Sequence, residues 1–162
     1  MKKYGRYGSG GLLACILMAI VALMIGQALD AYASSLTEVK KTYVDRGQPP
    51  LSVYALTVTM DSGGTHSHAM TEPITGRVVA VKTNPGSPAP ADNYDLDLLV
   101  DGYDIMGGAL ANRDTANTEW ALPLLGASAW EPILRADTVT VSYSGNTVAN
   151  AVTVIEIWVE GY

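Results

Sequence analysis

The chain has 162 residues, 48% of them hydrophobic, which supports one ordinary domain plus a short appendage and excludes a disordered polar chain. Its net charge of −6 is unevenly placed: residues 1–46 carry six Lys/Arg against three Asp/Glu, and residues 47–162 carry four against thirteen. The acidic part repels phosphate backbones, so specific nucleic-acid binding by it is not expected, and its charge favours solubility.

Residues 1–10 form a short basic tail containing Lys2, Lys3 and Arg6. From Gly11 to Leu29 the sequence is almost unbroken apolar, with Leu12, Leu17, Ile20, Leu23 and Ile25 inside it and Gln27 its one clearly polar side chain. Nineteen helical residues span roughly 28 Å, close to the hydrocarbon thickness of a bilayer. Tyr4, Tyr7 and Tyr32 flank the run, as interfacial aromatics do. A single transmembrane helix is therefore expected here, anchoring the chain in a lipid membrane. A cleaved signal peptide also fits, with Ala31-Tyr32-Ala33 as its cleavage site, although the apolar core is long for one. A pilin-like N-terminus cleaved within Gly5–Gly11 fits less well, because no acidic residue lies just inside the apolar run. Three basic residues precede the helix and three (Lys40, Lys41, Arg46) follow it. The upstream set is nearer its helix end and favours an N-terminus inside. Cys15 is the only cysteine, so no intrachain disulfide forms. Leu12-Leu13-Ala14-Cys15 lacks the preceding apolar stretch of a lipoprotein signal, and Cys15 reads as a small residue of the apolar run.

Beyond the apolar run, Leu29, Tyr32, Leu36, Val39 and Tyr43 are spaced 3-4-3-4. That spacing predicts a coiled-coil-like seam, a helical stalk to about Asp45 that either self-associates through Tyr32, Leu36, Val39 and Tyr43 or lies as a single helix against its own domain or a neighbour. Gly47-Gln48-Pro49-Pro50 then ends the helix. The expected division is a tail at 1–10, membrane helix and stalk at 11–46, and an ectodomain at 47–162.

In the ectodomain the apolar period falls to two. Tyr54, Leu56, Val58 and Met60 alternate with polar or small residues, as do Tyr94, Leu96, Leu98 and Val100, and Val139, Val141 and Tyr143. Arg77 to Lys82 reads as a further strand around Val78–Val81, and Val152 to Val159, apolar on both faces except Glu156, reads as a central one. Turn chemistry separates these runs at Asp61-Ser62-Gly63-Gly64, Asn84-Pro85-Gly86-Ser87-Pro88 and Ser144-Gly145-Asn146. No ten-residue helical pattern occurs after residue 50. An all-β, antiparallel, jelly-roll-like sandwich is expected. Trp158 is assigned to its core. Trp120 and Trp130 lie in a less regular stretch, Thr118 to Pro132, and are read either as subunit contacts or as local packing of a loop.

Chemical motifs are sparse. His66-Ser67-His68 puts two imidazoles on one strand face, but spacing marks no third metal ligand. Asp92, Asp95, Asp97, Asp101 and Asp104 are oxygen-rich without EF-hand spacing, and a solvated strand face is the better reading. There is no nucleophile elbow, phosphate loop or dinucleotide fingerprint, and Gly107-Gly108 leads into nothing resembling a phosphate site. No enzymatic activity, cofactor or metal is expected.

One ordered set of segments is similar to a known group. Ile74-Thr75-Gly76-Arg77-Val78-Val79-Ala80-Val81 leads into Thr83-Asn84-Pro85-Gly86-Ser87-Pro88-Ala89-Pro90 and Asp92-Asn93-Tyr94-Asp95-Leu96. Gly107–Thr115, Val139–Ser142 and Val152–Ile157 follow. This order, over about residues 74–160, resembles small β-rich proteins encoded among the structural genes of bacteriophages. The resemblance implies a structural role and assigns no functional residue. The chain departs from the group in carrying an apolar segment ahead of the β-domain. Together the two features lead to the expectation of a virion protein whose helix sits in an internal viral membrane and whose β-domain contacts capsid or vertex proteins as a homo-oligomer. The alternative is a bacterial surface or pilus-like subunit with a β-head.

Overall fold

The computed structural model describes residues 34–43, 48–62 and 65–161. The expected membrane helix, its anchor residues, Cys15 and Tyr32 lie outside the described residues. Among the described residues no helix is long and apolar enough to cross a membrane.

Every regular element described is a β-strand. In chain order they are β1 (Ser35–Tyr43), β2 (Leu51–Met60), β3 (His66–Ala69), β4 (Ile74–Pro85), β5 (Asp95–Val100) and β6 (Tyr103–Asp104). Then come β7 (Glu119–Ala121), β8 (Leu124–Leu125), β9 (Ser128–Ala129), β10 (Ile133–Asp137), β11 (Thr140–Ser144) and β12 (Ala151–Glu160). One sheet runs β1-β2-β12-β4-β10, with β7 on the same side of β4 as β10; a second runs β3-β11-β5-β6, and β8 and β9 form a third of two strands. All pairings are antiparallel, and the sheets form a curled half-barrel around one core.

The pairings are nested. β2 pairs with β12, β3 with β11, β4 with β10, and β5 with β6. Those four pairs describe one long antiparallel hairpin. Two more pairings, β12 with β4 and β11 with β5, join its turns as it rolls up. Rolling hides one face of β2, β4, β5, β11 and β12, which is why their inward residues are mostly apolar. Tyr54, Leu56, Val58 and Met60 of β2 meet Ile155, Ile157 and Val159 of β12 in the same core as Leu96, Leu98, Val141 and Tyr143. Each fully buried aliphatic side chain contributes roughly 1.5–3 kcal/mol relative to exposure.

The apolar run Val78-Val79-Ala80-Val81 has a local cause. Trp158 pairs with Ala80 and Val159 with Val78, which leaves Val79 as the extra residue of a β-bulge. The bulge shifts the alternation, so Ile74 and Val78 face inward before it and Val81 and Thr83 after it.

Three expectations need correcting. The helical stalk is not formed over residues 35–43: they make strand β1, in continuous register with β2 from Ser35 opposite Thr59 to Tyr43 opposite Leu51. The Leu36, Val39, Tyr43 spacing is therefore not a helical seam. Leu36 packs against the core, while Val39 and Tyr43 point the other way and are exposed. Accordingly the compact β-unit starts at Ser34, thirteen residues before the expected boundary. Finally, Trp158 is not in the core. It alternates with Ile157 and Val159, and the outer face of the sheet receives it.

Candidate interaction surface

Two outward surfaces concentrate groups suited to recognition. The first is the outer face of the six-stranded sheet. Glu156 of β12, Lys82 of β4 and Trp120 of β7 lie in one cross-strand row. Lys82 Nζ donates to Glu156 Oε1 at 3.2 Å, and Trp158 Nε1 donates to Glu156 Oε2 at 3.3 Å. The ammonium also lies 5.8 Å from the Trp120 ring centre, and the Trp120 and Trp158 rings are 5.5 Å apart at a 56° tilt. That geometry gives cation–π and edge-on aromatic attraction. Lys82 and Glu156 fix each other, and Trp120 is left 57% exposed against them.

The second surface is the open edge where β6 ends one sheet and β10 ends the other. A cleft of about 630 Å³ runs between them, lined by Val100, Tyr103, Ile105, Trp130, Ile133 and Leu134 among others. Tyr103 is 78% exposed, Ile133 55% and Trp130 37%. Leu122 and Leu125, from the adjoining segment, are also exposed. A contiguous apolar group of this kind marks an interaction site more often than scattered apolar residues do. Trp130 is placed by its N–H, which donates to the Pro123 carbonyl at 3.0 Å across the small β8–β9 hairpin. The floor of the segment is set at Gly107, in the left-handed region with φ +60°, where an added Cβ would strike the Leu124 backbone. Gly107 thus allows two backbones to approach closely.

The other sequence-marked residues are brought into quieter settings. His66 and His68 share a face of β3, with His66 stacked on Tyr143 at 5.4 Å. Asp95 accepts the Asn112 N–H at 2.8 Å, and Asp104 accepts those of Met106 and Gly108 at 2.9 and 2.6 Å, so both carboxylates hold turns. Asp97 lies between them on the outward face of β5. Partial burial raises its pKa above the usual carboxylate range, and the neighbouring charges of Asp104 and Asp95 add to the rise. Asp114 is held below that range by the Asn117 side chain and the Ala116 N–H. Among the described residues no three His, Cys, Asp or Glu side chains come together as a metal site.

The structure separates the two tryptophans that the sequence grouped: Trp120 sits on the sheet face and Trp130 at the open edge. Tyr103, Leu125 and Ile133 were not foreseen, because an exposed apolar residue in a two- to five-residue strand leaves no periodic signal. The Lys82–Glu156 pair had one: a lone carboxylate in an otherwise apolar central strand needs a cation beside it.

Comparison of the chain with family models, with curated proteins and with solved structures returns no match.

Proposed function

We propose that this chain is a membrane-anchored structural protein of a bacteriophage virion, tethering an internal viral membrane to capsid or vertex proteins through a jelly-roll β-sandwich. The observation that carries the reading is the nested strand pairing. Eight principal strands, β2 to β6 and β10 to β12, follow the rolled-hairpin order of a double-sheet jelly roll. That architecture recurs in viral capsid and lectin domains. The apolar segment Gly11–Leu29 supports the membrane attachment, and the pattern of residues 74–160 supports the phage context. The apolar cleft beside Tyr103, Trp130 and Ile133 suits a protein partner, since aromatic anchors in a partly desolvated groove dominate protein interfaces. On this reading the chain acts by binding, with no cofactor and no catalysed reaction.

The test is the composition of purified particles. Mass spectrometry of intact particles, and of particles stripped of lipid with mild detergent, should find the chain at fixed stoichiometry and released with the lipid fraction. Recovery only from the envelopes of uninfected cells, with none in particles, would favour a cellular surface subunit and defeat the proposal.

A further inference from the structure

The edges of the described sheets are unequal. β6, β8 and β9 are two residues long, β7 three and β3 four. β10 carries a register shift around Ala136, whose φ is 61°. Such short or bulged edges resist pairing with another chain. β1 has neither device. It is nine residues long, has no register shift, and hydrogen-bonds to β2 alone among the described strands. Its outward-pointing N–H and C=O groups form the longest regular edge among the described strands.

We infer that a second copy of this chain pairs with β1, antiparallel, about a two-fold axis through Val39. The position of the axis follows from parity and charge. Backbone groups alternate in direction along a strand, and opposed residues in an antiparallel pair must point the same way relative to the seam. The axis therefore passes through a residue rather than between two. Placed at Glu38, Lys40 or Lys41, it sets like charges opposite each other, which is destabilising. Placed at Thr37, it pairs only Ser35 to Val39 within the strand. Placed at Val39, it pairs the whole of β1, sets Val39 against Val39, and sets Glu38 opposite Lys40 twice.

Those two charges are already held beside the edge. Glu38 accepts the N–H groups of Thr71 and Glu72 at 2.6 and 3.1 Å, and Lys40 donates to Glu72 at 3.1 Å. Lys40 also lies 4.9 Å from the Tyr54 ring centre. A carboxylate with two oxygens and an ammonium with three donors each keep capacity for a further partner. The seam continues both faces of the sheet, because residues opposed across it share parity. This pairing does not rest on the virion reading: a self-pairing edge serves any assembling subunit.

The test uses the full chain in detergent micelles, with Cys15→Ser and a single cysteine introduced at Thr37, Val39 or Lys41. Directly opposed strand residues lie within disulfide reach, so the Val39→Cys chain oxidises to a dimer on a non-reducing gel. Thr37→Cys and Lys41→Cys stay monomeric alone, since each lies about 13 Å from its own copy along the seam. Mixed together, they form the heterodimer. Glu38→Lys weakens association roughly tenfold, and adding Lys40→Glu restores it. Melting curves confirm that each variant is folded. A Val39→Cys chain that stays monomeric, or equal cross-linking at all three positions, overturns the inference.

Discussion

β12 and β1 belong to one sheet and differ by a single residue in length, ten against nine, yet they are stabilised in different ways. β12 has β2 on one side and β4 on the other, and every second residue from Ala151 to Val159 is buried. Among the described strands β1 has one neighbour, and of its side chains only Leu36 packs against the core. A strand in the middle of a sheet is held by its own side chains. A strand at the rim is held by its neighbour's backbone, so its sequence is freer. That freedom lets β1 carry charges, exposed Val39 and Tyr43, and a spacing that imitates a helix.

Substitutions can break this contrast. Ile157→Ala, in the middle of β12, should lower unfolding free energy by about 2–5 kcal/mol in chemical denaturation, from lost burial and the cavity left behind. Val39→Ala on β1 should change it by less than about 0.5 kcal/mol. Similar losses at the two sites would mean that the rim is packed like the centre.

Asn146 should come next. It is buried and uses its whole amide: Oδ1 accepts the Ala91 and Val148 N–H groups, and Nδ2 donates to the Asp61 and Val148 carbonyls, all between 2.7 and 3.1 Å. It ties the β11–β12 turn to the segments after β2 and before β5. Asn146→Ala strands several buried polar groups, and thermal melting should show a loss of about 2–4 kcal/mol. The Lys82–Glu156 pair should be weaker. A double-mutant cycle with Lys82→Ala and Glu156→Ala should give a coupling of about 1 kcal/mol, since both side chains are only partly desolvated.

The smallest effect should be that of Asp97, and it should depend on pH. Its folded pKa is raised, by partial burial and then by Asp104 and Asp95. The folded state then binds its proton more readily than the unfolded chain. Stability associated with this group is greatest below the unfolded value and declines as pH rises through the folded one. Asp97→Asn should therefore raise the melting temperature slightly at pH 7, with the gain vanishing as pH falls to about 3, near and below the ordinary carboxylate value. A gain that grows on acidification would refute the assignment.

The same contrast explains what was legible. β2, β5 and β11 were readable because burial on one face imposes a period of two on Tyr54–Met60, Tyr94–Leu98 and Val139–Tyr143, and β12 was readable from the continuous apolar run Val152–Val159. The buried face of β12 was disguised by Val152, Val154 and Trp158 on the outer face, although Glu156 and Glu160 share their parity and mark that face as the outward one. The bulge at Val79 disguised the alternation of β4. β1 was misread because Leu36, Val39 and Tyr43 satisfy a helical spacing, and one paired neighbour overrode it. Of the candidate surfaces, Trp120 and Trp130 were singled out by residue type alone. The cleft that gives Trp130 its setting depends on β6 and β10 meeting at the sheet edges, which no local pattern encodes.

Amide hydrogen exchange across β1 and β12, on the full chain in detergent micelles, tests the central claim of a rolled hairpin with an open pairing edge most directly. At low protein concentration β12 should be protected at every amide. β1 should alternate, with the amides facing β2 protected and those facing away exchanging fast, and the fast set should become protected as concentration rises. Uniform protection from Leu36 to Tyr43 at every concentration, as a helix gives, would contradict it.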